Sequence, residues 1–219
     1  MRSLALFFAL VIAPCLHAQQ ACTRPICNVS PDSLQLSSLI DFNDVTSSIG
    51  IGSRIDEVLK RDGAAFGERF IGQTRHAHGD HDVISGAPIL PLTLRDGGRG
   101  QTLGAMHLKG SIVLHGHGHR VYPKVEAVGE GSVAVLFDRD QPALSFDLRG
   151  GEQGFASVIF IRRDGSTIDT HTLGPLGEDS FGFERKSGQP DIAGFILLNT
   201  DPQGIALDNL RFDGFDLLG

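Results

Sequence analysis

Tryptophan is absent from this 219-residue chain, tyrosine occurs once, at Tyr122, and methionine occurs twice. Sugar-binding surfaces commonly stack their ligands on such rings, so aromatic platforms are scarce here. The 14 phenylalanines could substitute, but most fall at positions whose neighbours mark them as core-facing. Positive charge is also short. Nineteen Lys and Arg stand against 26 Asp and Glu, a formal charge of −7. Neutralising phosphates needs clustered Lys and Arg, so the balance excludes nonspecific nucleic-acid binding. Beyond the first residues no apolar run approaches the ~20 residues that cross a bilayer, so no membrane span is expected in the mature chain. Helical periodicity is nearly missing. Only Ser53 to Arg61 resembles a short amphipathic turn, with Ile55, Val58 and Leu59 on one side. No Gly-x-Ser-x-Gly elbow, phosphate loop or dinucleotide fingerprint occurs in a suitable setting.

What is present begins with a leader. Met1-Arg2-Ser3 carries one positive charge, Leu4 to Leu16 is apolar, and small residues follow at Ala18 and Ala21. This is the layout of a secretory signal peptide, expected over 1–18 with cleavage as late as 21. Pro14 before Cys15 argues against a lipoprotein cysteine. The mature protein is therefore expected to be secreted, periplasmic or extracellular. Cys15 leaves with the leader, and Cys22 and Cys27 remain as an even pair in an oxidising compartment, which reads as a disulfide or else as two terminal thiols. The organisation expected is an N-terminal extension over 19–37, holding that disulfide, and one β domain over 38–219.

Short apolar segments cut by Gly, Asp, Asn and Pro predict strands at Leu39–Asn43, Asp82–Ser85, Leu103–Lys109, Val133–Phe137, Leu144–Leu148, Ala156–Arg162, Thr167–Leu173, Ser180–Glu184, Ile192–Asn199 and Ile205–Phe212. Leu144, Phe146 and Leu148 share one face and Ser145 and Asp147 the other, the pattern of a half-buried antiparallel strand. Phe155 to Ile161 is apolar on both faces, as in a central strand. Asp164-Gly165 supplies a hairpin turn into Thr167–Leu173. No helix separates these strands, so the fold class is all-β, an antiparallel sandwich.

From Val133 onward the chain resembles exported bacterial proteins of the PEP-CTERM type. The resemblance rests on Pro142 to Leu148, Ile159 to Ser166, Ile192 to Phe195, Asn199 to Gly204 and Ala206 to Phe212. Gly67 to Thr74 and Asp82 to Gly86 are similar to that family's amino-terminal half. The resemblance implies a jelly-roll-like sandwich at the cell surface or in the exopolysaccharide matrix. The chain departs from the family at Leu217-Leu218-Gly219, where no Pro-Glu-Pro motif, membrane helix or basic tail stands, so free secretion is the expectation.

Three constellations carry candidate chemistry. Strict alternation along the last strand places Asp208 on the face of Leu210 and Phe212, and a carboxylate there needs a partner. The arrangement resembles jelly-roll carbohydrate-binding modules, in which a structural calcium bridges the first and last strands. That resemblance implies calcium held by Asp208 with Asp41, Asn43 or Asp44; the alternative is that Asp208 accepts backbone N–H bonds or pairs with a basic residue. Second, His76-Ala77-His78-Gly79-Asp80-His81 spells the His-x-His-x-Asp-His string of the metallo-β-lactamase superfamily, whose zinc ions generate a hydroxide nucleophile. The setting is unlike that superfamily: no strand-then-helix surrounds the string, and Thr170 to Gly174 is a poor echo of the later histidine segment. Third, in His115-Gly116-His117-Gly118-His119, an extended backbone would project alternate imidazoles from one face about 7 Å apart, fit for zinc, nickel or copper, whereas a loop would leave them solvated. Glu126, Glu130, Asp138, Asp140, Glu152, Glu178 and Asp179 could include a glycosidase pair.

The leading expectation is a noncatalytic exported sandwich of the envelope or matrix, calcium-stabilised and interacting with extracellular polysaccharide or cell-surface components. The alternatives are a transition-metal binder using His76, His78, His81, His115, His117 and His119, and a zinc hydrolase.

Overall fold

The computed structural model describes residues 22–95 and 103–213. The expected leader and the closing residues after 213 lie outside them. Seventeen strands follow in chain order: β1 (Ile26–Val29), β2 (Ser38–Ile40), β3 (Ser53–Ile55), β4 (Leu59–Arg61), β5 (Ala64–Gly67), β6 (Thr74–His78), β7 (His81–Ser85), β8 (Leu103–Leu108), β9 (Ser111–His117), β10 (Val128–Gly131), β11 (Val133–Gln141), β12 (Ala143–Gly150), β13 (Ala156–Ile161), β14 (Thr167–Leu173), β15 (Asp179–Arg185), β16 (Ile192–Asn199) and β17 (Ile205–Phe212). Among the described residues no helix is long and apolar enough to cross a membrane.

The strands form an antiparallel sandwich, as expected. A nine-stranded sheet runs β1-β15-β12-β17-β9-β8-β3, with β10 added beside β9 and β2 beside β17. A six-stranded sheet runs β14-β13-β16-β11-β5-β4, and β6 and β7 make a separate hairpin. From β11 onward the chain keeps crossing between the two large sheets, so strand neighbours are mostly not sequence neighbours, as in a jelly roll. Phe137, Phe146, Phe160, Phe183, Phe195 and Phe212 fill the middle, with the Phe146 and Phe195 rings stacked at 5.3 Å and those of Phe160 and Phe183 5.0 Å apart. Ring pairs of this kind add about 0.5–1.5 kcal/mol each beyond the area they bury.

Three sequence readings change. Ser53 to Arg61 is not a helical turn: Ser53–Ile55 pairs with Ala105 to Leu103 in one sheet, and Leu59–Arg61 pairs with Ala64 to Phe66 in the other. Nine residues give too little helix to repay its nucleation, whereas Asp62-Gly63, with Gly63 at φ 84°, closes a tight hairpin. Residues 26–29, assigned to an extension before the domain, form an edge strand of the sandwich, and Ile26 is fully buried in its core. Cys22 and Cys27 form the expected disulfide, which ties the residues ahead of that edge to Cys27 within it.

The third change concerns β17. Asn209 sits at φ 46°, and the pairing with β12 slips between Ser145 opposite Arg211 and Asp147 opposite Asp208. This bulge flips the alternation. Leu207, Leu210 and Phe212 all reach the core, while Asp208 lies opposite Asp147 on the outer side. Asp208 therefore does not share a face with Leu210 and Phe212.

The outer faces of the two large sheets differ. That of the six-stranded sheet presents Ala134, Ile161, Ala193 and Ile196, and these are packed under Phe70, Ile84, Leu92 and Leu94 from the β6–β7 hairpin and its flanks. That of the nine-stranded sheet carries polar side chains and two clefts.

Candidate functional site

The larger cleft, about 530 Å³, lies on the outer face of the nine-stranded sheet. Its floor is polar because β12 and β17 alternate. Leu144, Phe146 and Leu148 point into the core and leave Ser145 and Asp147 outside; the bulge brings Asn209 and Arg211 alongside. Ser180 of β15 and Asp32, from the segment that crosses the sheet after β1, complete the wall. Asp147 organises the floor. Ser180 Oγ donates to its Oδ1 at 2.5 Å, and Asn209 Nδ2 donates to its Oδ2 at 2.7 Å. A carboxylate, an amide, a guanidinium and two hydroxyls are thus fixed on one rigid sheet. Such groups make directional hydrogen bonds to hydroxyl-rich ligands. Of this set, the outward placing of Ser145 and Asp147, and of Asn209 and Arg211 opposite Leu210 and Phe212, was readable in sequence.

Arg149 stands beside this floor. It donates to Asp147 at 3.3 Å and to Asp208 at 3.3 Å, and it also lines a second cleft of about 250 Å³ with Met106, Leu108, His115, Val125 and Val128. Asp208, 1% exposed, additionally accepts from Ser111 Oγ at 3.2 Å and the Asn209 N–H at 2.8 Å. The other residues expected around calcium are also engaged within the protein. Asp41 accepts from the N–H and Nδ2 of Asn43, Asn43 Oδ1 accepts from the Ile112 N–H, and Asp44 pairs with Arg61. Among the described residues no group of three or more His, Cys, Asp or Glu is disposed to hold a metal ion.

The His-x-His-x-Asp-His string forms the β6–β7 hairpin, with His78 opposite His81 across a Gly79-Asp80 turn. Its histidines face different partners. His76 Nε2 meets Ser85 Oγ at 3.0 Å, His78 is exposed, and His81 opposes the buried Glu130 carboxyl of β10. On the covered side, Asp82 lies 3.5 Å from Arg75. Burial pushes Asp82 up to about 6 and Glu130 up to about 7, and burial lowers His81. The hairpin tip meets the second histidine segment, Asp80 pairing with Arg120 at 2.8 Å. The two segments adjoin, but through these charges.

His115 and His117 lie in β9 and are fully buried on the outer side of their sheet, back to back with the core residues Ile112 and Leu114. Their ring centroids are 4.7 Å apart at 81°. The neighbouring strand makes room for them with Gly104, paired to His115. A Cβ on Gly104 would stand 2.7 Å from His117 Nε2 and 2.8 Å from His115 Nε2. Tyr122 closes over His117 at 5.5 Å, and Arg54 rests on the Tyr122 ring. Burial, then the neighbouring His117, lowers His115 to about 3; burial, then Arg54, lowers His117 to about 4, so both rings are neutral at neutral pH. His119 is exposed in the loop beyond.

No family profile matches the chain, and no curated protein does. Among solved structures, a mutant of a family 29 carbohydrate-binding module, studied for its mechanism of ligand recognition, overlaps 71% of this chain and 99% of its own at 11% identity, with a TM-score of 0.33. Overlap of that degree carries no information about what this chain binds.

Proposed function

We propose that this is a noncatalytic exported protein of the cell envelope or extracellular matrix that binds a hydroxyl-rich, glycan-type ligand in the 530 Å³ cleft. The observation that carries the reading is the floor built on Asp147, with its bonds to Ser180 and Asn209 already made and Arg211 beside it. A preordered set of donors and acceptors reduces the ordering cost of binding. The outer face of the six-stranded sheet is covered, whereas that of the nine-stranded sheet opens into the cleft around β12, β15 and β17. Export is supported by the leader-like sequence of residues 1–18 and by the Cys22–Cys27 disulfide, which suits an oxidising compartment. Calcium forms no part of the proposal, because Arg149 already offsets the buried Asp208. Nor does a zinc hydrolase, since His76, His78 and His81 serve separate contacts along a hairpin.

Affinity electrophoresis of the mature protein through gels carrying soluble neutral and acidic polysaccharides tests the reading. At least one polysaccharide should retard the wild type. Asp147→Ala and Arg211→Ala should each weaken that retardation roughly ten- to a hundred-fold, the scale of a lost hydrogen bond to a charged group. Circular dichroism checks that the variants keep their fold. Absence of retardation for the wild type, or undiminished binding by both variants, overturns the proposal.

A further inference from the structure

Histidine usually enters a protein core with both ring nitrogens satisfied, since an imidazole nitrogen removed from water without a partner is costly. The β9 pair departs from this. His115 and His117 are both fully buried, and His115 Nε2 and both nitrogens of His117 have no hydrogen-bond partner. His115 Nδ1 faces the Gly116 carbonyl at 3.3 Å. A carbonyl only accepts, so the ring proton belongs on Nδ1 and the Nε2 lone pair is left bare. His117 Nε2 and the Nε2–Cε1 edge of His115 border the same gap, each lying within 2.8 Å of the point above Gly104 that a Cβ would fill. Two neutral donors bordering one gap, with a small residue keeping it clear, form half of a metal centre with its supporting hydrogen bond in place.

We infer that His115 and His117 bind a single monovalent copper ion between their Nε2 atoms. The donor count favours this ion. Zinc and divalent copper seek four or more ligands, and no third His, Cys, Asp or Glu joins the pair among the described residues. Monovalent copper takes two or three ligands, and rings only 4.7 Å apart would meet it at a bent angle that leaves a third position; its single charge is also cheaper to bury than a double one. Met106 strengthens the choice. It lies two residues after Gly104 on the same face of β8, and its thioether lines the second cleft together with His115. Thioethers select monovalent copper, and this cleft provides an access path to the buried ring. The inference is independent of the glycan cleft, whose floor lies beyond Arg149.

The test uses mature protein purified without a histidine tag and kept anaerobic, with monovalent copper supplied as its bicinchoninate complex. The wild type should withdraw one equivalent of copper from the chelator. Nitrogen-15 NMR should show the Nε2 resonances of His115 and His117 moving on loading, while those of His76, His78 and His119 stay in place. Both measurements use the native chain and do not depend on a variant folding. His117→Gln should lower the affinity at least a hundred-fold. Gly104→Ala, which keeps both rings but fills the space between them, should lower it about ten-fold or more, the lower end of the range for altered metal surroundings. The inference fails if no copper leaves the chelator, if the exposed histidines are the ones that shift, if His117→Gln retains full affinity, or if zinc binds the pair more tightly than monovalent copper.

Discussion

Replacing Asp201 with alanine removes a buried acceptor around which two loops are folded. Its side chain, with no exposed surface, accepts from the Glu152 N–H at 2.8 Å, the Gly154 N–H at 2.7 Å and the Gln203 N–H at 3.0 Å. Gly154 is itself buried, and a Cβ there would stand 2.7 Å from the carboxylate, so the loop is shaped to the oxygen it binds. In the alanine variant the Gly154 amide loses its partner outright, while those of the more exposed Glu152 and Gln203 can turn to water. One fully orphaned donor and two partly compensated ones, at about 1–3 kcal/mol for a buried unsatisfied group, sum to roughly 2–4 kcal/mol. At about 2–4 °C per kcal/mol for a chain of this size, the melting temperature should fall by about 5–15 °C. Asp201→Asn keeps one acceptor oxygen and should lose about half as much. Thermal and urea unfolding followed by far-ultraviolet circular dichroism measure both, with an unchanged m-value indicating that stability alone has moved. A fall of less than 2 °C for alanine, or a larger loss for asparagine than for alanine, would refute this account of the two loops.

Two further expectations concern the amino-terminal edge. Burial pushes the Asp169 carboxyl up, but hydrogen bonds from Arg24 and from the Thr170 and Ile26 N–H groups outweigh it and hold the group at about 2. A depressed carboxyl contributes stability that is present above its unfolded value of about 3.9 and is lost as pH falls toward 2, here roughly 2 kcal/mol. Urea midpoints measured between pH 5 and pH 2 should therefore drop less steeply in Asp169→Asn than in the wild type, and parallel curves would contradict the assignment. Reducing the Cys22–Cys27 disulfide opens a loop of sequence separation 5. Loop-closure entropy sets the loss at about 2 kcal/mol, and calorimetry with and without reductant should show a melting shift of about 4–8 °C.

The carboxy-terminal half was legible because its strands are long and alternate cleanly. Thr167–Leu173, Ile192–Asn199 and Ile205–Phe212 carry the expected bounds, and Phe155 to Ile161 yields β13 between β14 and β16, with Ala156, Val158 and Phe160 in the core, Ser157 and Ile159 half-buried and Phe155 exposed ahead of it. The earlier half resisted for local reasons. β3 and β4 have three residues each, too few to show a period of two, and their junction mimics a helix because the chain changes sheets there. β9 hid its strand character because His-Gly-His interrupts the apolar pattern, although the core face continues through Leu114. The bulge at Asn209 was invisible for another reason. A single residue entering the left-handed region reverses every later side chain, and although Asn tolerates that region, its place inside a regular strand pattern does not mark it. The cleft joins residues 32, 145, 147, 180, 209 and 211, which no local pattern connects.

The hairpin that blankets the six-stranded sheet gives the molecule a back and a front. His76 and His78 stand exposed on the hairpin, while the Asp147 floor lies on the outer face of the other large sheet. A protein tethered to a matrix or to a sensor surface through those two imidazoles would hold its polar cleft outward, and one seated on its nine-stranded sheet would smother it. Orientation on a surface thus becomes a property the fold has already decided, before any partner arrives.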